Sequence, residues 1–250
     1  MLVKYYNSKT KTLKLHSKFN EELKDLPIDI KTIMFEQGRE KISHSKFNQK
    51  IDNLPQSLIC LVLGHNFNQP VDNLPQNLTK LTFKFYFNQK VDNLPSSLTY
   101  LTFGHSFNQS VNNLPTNLTH LILGNSFNQP VNNLPTNLTH LIFGNSFNKK
   151  VDNLPTKLIN LIFGNCFNYS ADNLPTSLTK LTFGDCFNQP IHNLPEELFY
   201  LQFGYNFNEK MENLPLTLKV IKLCNHHTIL LNKVPFGCKV IDKNNREIFF

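Results

Sequence analysis

The sequence predicts a right-handed, β-rich repeat solenoid with a parallel β-sheet on one face, an extended or 3₁₀ convex side and almost no α-helix. Three observations carry this reading. A 20-residue unit recurs nine times without a slip in phase. Each unit ends in a short apolar pattern of period two, and each holds a Leu-Pro step that a helix interior does not accept.

Counted from Phe as position 1, the unit reads F-N-Q-x-V-x-N-L-P-x-x-L-x-x-L-x-F-G-x-x. Copies open at Phe47, Phe67, Phe87, Phe107, Phe127, Phe147, Phe167, Phe187 and Phe207 and fill residues 47–226. Phe19-Asn20, Asp25-Leu26-Pro27, Ile30, Ile33 and Phe35 form a degenerate copy, which lies 28 residues before Phe47 instead of 20. Its eight extra residues fall within Glu36 to Lys46. Leu13 and Leu15 fit a first coil, and Lys233-Val234-Pro235, Cys238 and Ile241 fit a last, incomplete one. The expectation is one solenoid domain over 1–250, with 1–46 and 227–250 as atypical end coils and caps.

Leu at positions 12 and 15 and Phe at 17 mark a strand with one buried face, as in Leu78, Leu81 and Phe83. A face this short is buried only when each strand stacks on its neighbour's, giving a parallel sheet with strands about 4.8 Å apart. Gly follows in seven of nine copies, which suits a sharp turn or close packing; Lys84 and Cys224 stand there in the others, so an ordinary L-residue conformation is expected. Asn at positions 2 and 7 recurs in every copy, and each set is expected to form a buried ladder that satisfies the turns. Leu before Pro is held extended, and the dozen residues outside the strand leave room for extended segments or single 3₁₀ turns.

Composition agrees with a folded, aromatic-cored chain: 40% hydrophobic and 17% charged residues, with 22 Phe and no Trp. Most of the Phe falls at positions 1 and 17, which points to stacked aromatic columns. No apolar run reaches the length of a secretory leader or of a membrane span, so a soluble cytoplasmic protein with reduced thiols is expected. The five cysteines show no CxxC pair, and no metal or cofactor is indicated. Asn77-Leu-Thr79, Asn117-Leu-Thr119 and Asn137-Leu-Thr139 match the glycosylation sequon only because the repeat recurs. Of the net charge of +7, residues 1–50 carry 11 Lys/Arg against 6 Asp/Glu and residues 211–250 carry 6 against 3, leaving 8 against 9 between them. A solenoid tracking a phosphate backbone is basic along its length, so this distribution reads as protection of edge strands and not as a nucleic-acid surface.

The motifs FNQPVDNLP at Phe67 to Pro75 and LTFG at Leu101 to Gly104 resemble the FNIP repeat family, a leucine-rich-repeat relative found in slime-mould amoebae and in giant viruses of amoebae. The resemblance covers about Phe19 to Leu223; where the family's name motif has Ile at position 3, this chain mostly has Gln. The chain is also similar to the short LPxxLxxL repeats of bacterial leucine-rich effectors. The resemblance implies a leucine-rich-repeat-like coil and a role in protein–protein contacts, in the host cytoplasm if the source is viral. Family members often carry an F-box or another signalling module. The stretches before Phe19 and after Leu223 are expected to be too short for one.

A residue present in every copy is explained by stacking, so functional information lies where copies differ. Asp52, Asp72, Asp92, Asp152 and Asp172 share position 6 and read as turn caps, not as a catalytic array. Position 14 is expected to face outward from the sheet and varies through Cys60, Lys80, Tyr100, His120, His140, Asn160, Lys180, Tyr200 and Val220. Beside it, position 16 carries the strip Ile122, Ile142 and Ile162. Phe85 and Tyr86 replace the small or polar residues of positions 19 and 20 and are the leading candidates for a binding anchor. Lys80, Tyr100, His120 and His140 complete the candidate site for an unidentified protein partner, with no small-molecule substrate evident. His120 and His140 are expected one strand apart, two ligands being a poor metal site and a better source of pH sensitivity. Cys166 and Cys186 share position 20 on consecutive copies, within disulfide reach when in register. A non-enzymatic protein–protein interaction module is the leading reading, and a structural or self-associating protein is the alternative.

Overall fold

The computed structural model describes residues 2–36, 44–224 and 234–248. They group into two compact units, Met1–Phe127 and Asn128–Phe250. In the first unit the strands are β1 (Tyr6–Asn7), β2 (Thr12–Leu15), β3 (Thr32–Phe35), β4 (Cys60–Val62), β5 (Lys80–Thr82), β6 (Tyr100–Thr102) and β7 (His120–Ile122). The second holds β8 (His140–Ile142), β9 (Asn160–Ile162), β10 (Lys180–Thr182), β11 (Tyr200–Phe203), β12 (Val220–Leu223) and β13 (Lys239–Ile241). Each unit is a β-solenoid whose consecutive coils pair in parallel and in sequence order, with Leu81 opposite Leu61 and Leu101 in one and Leu181 opposite Leu161 and Leu201 in the other. Among the described residues the only helix is a four-residue 3₁₀ turn, Leu2–Tyr5, and no helix is long and apolar enough to cross a membrane.

Most strands cover positions 14 to 16, one residue earlier than the apolar pattern suggests, because position 17 leaves the ladder it closes. Its N–H still donates to the carbonyl of position 16 on the next coil, as Phe83 does to Thr102 at 2.8 Å. Positions 12, 15 and 17 are buried throughout, whereas 14 and 16 are partly open.

The Phe residues form two interlocked columns in each unit. Phe67, Phe87 and Phe107 of position 1 stack with centroids 6.1 and 6.2 Å apart, and Phe163 and Phe183 of position 17 stack at 5.4 Å. The two columns touch face to face where position 17 of one copy meets position 1 of the next, as Phe83 and Phe87 do at 3.6 Å. Nearly all of this aromatic area is out of water, so the columns add to the buried Leu and Val rows a large apolar contribution to coil stacking.

Polar rungs run alongside. The Asn68 side-chain oxygen accepts the Asn88 N–H at 2.9 Å and the Gln89 amide at 3.2 Å, and the same pairing links Asn48 to Asn68 and Gln69. Gln at position 3 therefore acts as a second donor to the Asn ladder. This ladder is half-exposed, not buried as expected. At position 7, among the described residues, Asn73, Asn93 and Asn113 donate not to another Asn but to Asp52, Asp72 and Asp92 of the preceding coil. These Asp residues are thus inter-coil acceptors, where turn capping was expected. At position 13, Thr99 and Thr119 hydroxyls donate to the carbonyls of Thr79 and Thr99.

The convex side carries extended segments with isolated i→i+3 turns, in line with the expectation: the Pro75 carbonyl accepts the Leu78 N–H at 3.1 Å, and Pro95 and Leu98 repeat the pattern. Gly at position 18 is explained by contact, not by φ. A Cβ at Gly104 would overlap the backbone carbonyl of Lys84, and one at Gly184 that of Gly164, while neither glycine has a left-handed φ.

At the N-terminal end Asn20 accepts the Asn48 N–H at 2.9 Å and Phe19 stacks on Phe47, so the degenerate copy is a true coil. Residues 37–43 of its insertion lie outside the described residues. Beyond it, β1 turns back antiparallel on β2 and covers the sheet edge. At the other end the reading placing Ile241 in the core is corrected: Val240 lies opposite Ile221 and is buried, and Ile241 pairs with Lys222. The last coil is one residue shorter between strand centres, which shifts every side chain by one face. Asp242 then closes the end, accepting the N–H groups of Asn244 and Arg246 at 2.8 Å.

Candidate functional site

Because each coil advances by one strand, equivalent positions form rows, and a row departing from the consensus becomes a continuous surface. Position 19 does so in the first unit. His44, His65, Phe85 and His105 stack ring on ring, with centroids 3.8 Å apart for His44 and His65, 4.7 Å for His65 and Phe85, and 4.5 Å for Phe85 and His105. Tyr86 stands edge-on to this column, 5.3 Å from His65 and 4.8 Å from Phe85, and is 51% exposed. Its backbone is fixed, since Tyr86 N–H donates to the His65 carbonyl at 3.0 Å. Phe85 itself is half-buried between the imidazoles, so the outer presentation belongs to Tyr86.

Burial, then His44 and Lys84, hold the His65 pKa below its ordinary value. A cation there loses water and meets the neighbouring positive charge, so the neutral ring is favoured.

Position 14 forms a second row on the open face of the same unit. The Lys80 ammonium lies 5.9 Å from the Tyr100 ring centroid, and Tyr100 stacks on His120 at 4.2 Å. Thr119 donates its hydroxyl proton to the Thr99 carbonyl. Its oxygen is also 2.9 Å from His120 Nδ1. In the second unit Lys180 sits 4.9 Å from the Tyr200 ring, and Tyr200 donates to Gln202 at 2.8 Å. His140 belongs to that unit, where its Nδ1 is 2.9 Å from the Thr139 hydroxyl.

The structure therefore brings Lys80, Tyr100 and His120 into one row and Phe85 and Tyr86 into another within the first unit. The charge of this surface is one-sided. From Cys60 through Ile122, positions 14, 16, 18 and 19 hold Lys80, Lys84 and three histidines and no carboxylate. The acidic residues of these coils, Asp52, Asp72 and Asp92, are engaged at the Asn rungs away from the strands. Among the described residues no three His, Cys, Asp or Glu side chains gather as metal ligands.

Two features escaped the reading of the sequence. His44 and His105 join the Phe85 column; the signal for His105 was the aromatic or imidazole character of position 19 in consecutive copies, whereas His44 lies one residue out of that phase. The second is an apolar patch: Leu216 is 82% exposed, Phe236 is fully exposed, and with Leu214, Val234 and Pro235 they border a shallow recess of about 580 Å³. The matching turn bonds, Leu218 to Pro215 and Cys238 to Pro235, place Leu216 and Phe236 at one position of consecutive coils. That position is Gln, Ser, Thr or Glu from Gln56 to Glu196, and this switch was legible.

Among solved structures the chain is similar to CroV588, a circular leucine-rich-repeat protein of a giant virus, with 36% identity over 93% of this chain and a TM-score of 0.59. It spans 43% of the CroV588 chain. YopM from Yersinia enterocolitica shares the fold, with a TM-score of 0.53 at 20% identity, over 91% of this chain and 55% of YopM. No curated protein matches in sequence. The FNIP Repeat family model matches residues 47–86, 87–126, 107–146, 127–166, 147–186 and 187–226. Nine copies of the 20-residue unit, the parallel solenoid they build and this run of matches agree: the chain is a repeat scaffold of leucine-rich-repeat type and belongs to the FNIP repeat family.

Proposed function

We propose that the protein is a non-enzymatic interaction module of the cytoplasm that binds another protein through the basic and aromatic rows of its first unit. Tyr86 and Phe85 are the anchor, and Lys80, Tyr100 and His120 the flanking contacts. The observation that carries this is the continuous ring column from His44 to His105 with Tyr86 presented at its side, on coils whose strand-side positions hold no carboxylate. Rigid, pre-stacked aromatics lose little conformational entropy on binding, and Lys80 and Lys84, without acidic neighbours on the strand-side positions, favour an acidic partner segment. The basic surface is local, which suits a protein more than a nucleic acid. A scaffold role also accounts for the recurring polar groups, since the Asn, Gln, Asp and Thr of the repeat are engaged in bonds between coils.

The test is affinity capture from amoebal lysate, quantified by mass spectrometry, comparing the natural chain with Phe85→Ala/Tyr86→Ala and with Tyr200→Ala. A partner recovered by the natural chain and by Tyr200→Ala, but lost with the double variant, supports the assignment. Equal recovery by all three moves the site off this surface.

Self-association is a second reading, favoured by the exposed pair Leu216 and Phe236. Light scattering across a concentration series decides it: a mass increase abolished by Leu216→Ser/Phe236→Ser supports it, and a constant monomer mass removes it.

A further inference from the structure

Cys166 and Cys186 occupy position 20 of consecutive coils in the second unit, and both are exposed. Their backbones are held alike: Cys166 N–H donates to the Asn145 carbonyl and Cys186 N–H to the Asn165 carbonyl, each at 2.8 Å. The coils on which they sit are in strict register. Leu161 lies opposite Leu181 in the sheet, and Phe167, the residue after Cys166, stacks on Phe187 at 6.0 Å with rings 1° from parallel. Equivalent positions on in-register parallel coils are about 4.8 Å apart, inside the Cα span of about 4.4–6.8 Å that a disulfide bridges. Cys60, Cys224 and Cys238 occupy other positions of the coil, so this register places no other pair together.

We propose that Cys166 and Cys186 form a dithiol site that reacts with a low-molecular-weight disulfide, such as oxidised glutathione, to close a bond between neighbouring coils. One protein thiolate attacks a reagent sulfur, releasing one small thiol and leaving a mixed disulfide on the protein. The second protein thiol loses its proton and attacks the protein-side sulfur, releasing the other small thiol. Two protein thiols are oxidised to one disulfide, and the reagent disulfide is reduced to two thiols that carry away the two protons. Loss of some water from the thiolate, then Cys166 and Asp185, push the Cys186 thiol above its ordinary pKa. The thiolate is the nucleophile, so the reaction is slow at neutral pH and quickens as pH rises. The bond staples two neighbouring coils of the second unit and uses none of the residues assigned to partner binding.

Folded protein is incubated with oxidised glutathione at neutral and at alkaline pH, then mapped by mass spectrometry after tryptic digestion without reduction. Lys180 lies between the two cysteines, so cleavage there puts them on separate peptides. The expected product is these two peptides joined, two hydrogens lighter than their sum, free of glutathione and separated by dithiothreitol. Its yield rises with pH, and its melting temperature exceeds that of the reduced protein. Cys186→Ser is expected to retain glutathione on Cys166, because no second thiol resolves the mixed disulfide. Glutathione retained on both cysteines of the natural chain, or no reaction at either thiol at alkaline pH, overturns the proposal.

Discussion

The Asn88 side-chain oxygen accepts two donors from the next coil, the Asn108 N–H at 2.9 Å and the Gln109 amide at 3.2 Å. Only an amide carbonyl held in a half-buried row does this repeatedly, since it has two lone pairs and no charge to desolvate. Asn88→Ala removes the acceptor of a backbone donor as well as of a side chain, and is expected to destabilise the protein by about 1–3 kcal/mol. Gln109→Ala frees only an amide that water can reach and is expected to cost less than about 1 kcal/mol. Urea unfolding of the two variants checks the order; equal losses would show that the ladder is not the stronger element.

Phe163 touches Phe167 at 3.9 Å and lies between Phe143 and Phe183, 5.5 and 5.4 Å away. Phe163→Ala opens a cavity inside both columns and is expected to cost about 3–5 kcal/mol. Leu occupies the same position naturally at Leu63, Leu123 and Leu223, fully packed in each case. Phe163→Leu is therefore expected to cost about 1 kcal/mol, with the local backbone unchanged. Hydrogen exchange of the Leu161 and Leu181 amides reads both effects at the affected coils.

The aromatic columns were legible because spacing alone puts Phe167 over Phe187 once the period is known. The inter-coil bonds were less so, because composition does not say whether Asn93 meets another Asn or Asp72; the offset between successive coils decides it. The end of the chain was misjudged for a related reason. Pro235 and Cys238 keep the repeat's turn, yet the final strand pairs one residue early, and only the sheet shows that Val240 is the buried one. Phe85 and Tyr86 stood out as departures from the consensus, but the stack that supports them needed His44, which lies outside the regular phase beyond the insertion.

Glycine at position 18 offers a test that separates crowding from backbone conformation. Gly184→Ala places a methyl group against the Gly164 carbonyl, and parting the coils is expected to cost about 1–3 kcal/mol. Gly237 faces open space but has φ of +75°. Gly237→Ala is expected to cost about 1–2 kcal/mol from conformation alone, and Gly237→Asn less, because Asn tolerates the left-handed region. At Gly184, Asn is expected to be worse than Ala. Thermal melts of the four variants give opposite orders at the two sites if crowding governs one and φ the other.

The His65 ring connects the candidate binding surface to pH. It stacks on His44 and Phe85, meets the edge of Tyr86 and lies near Lys84, and its folded-state pKa is lowered by burial first and then by those cationic neighbours. Between the folded value and the unfolded value of about 6.5, the unfolded chain binds the extra proton, so stability falls as pH drops through that window. Below the folded value both states are protonated and this contribution changes no further. Protonation also puts a charge beside Phe85 and should loosen the ring column that carries Tyr86. His65→Phe removes the titrating group and keeps a ring in the stack, so it is expected to weaken the fall in melting temperature between pH 7.5 and pH 5 while leaving the value at pH 7.5 nearly unchanged. Identical pH profiles for the two proteins would place the sensitivity on other groups, and the aromatic column would then be indifferent to protonation.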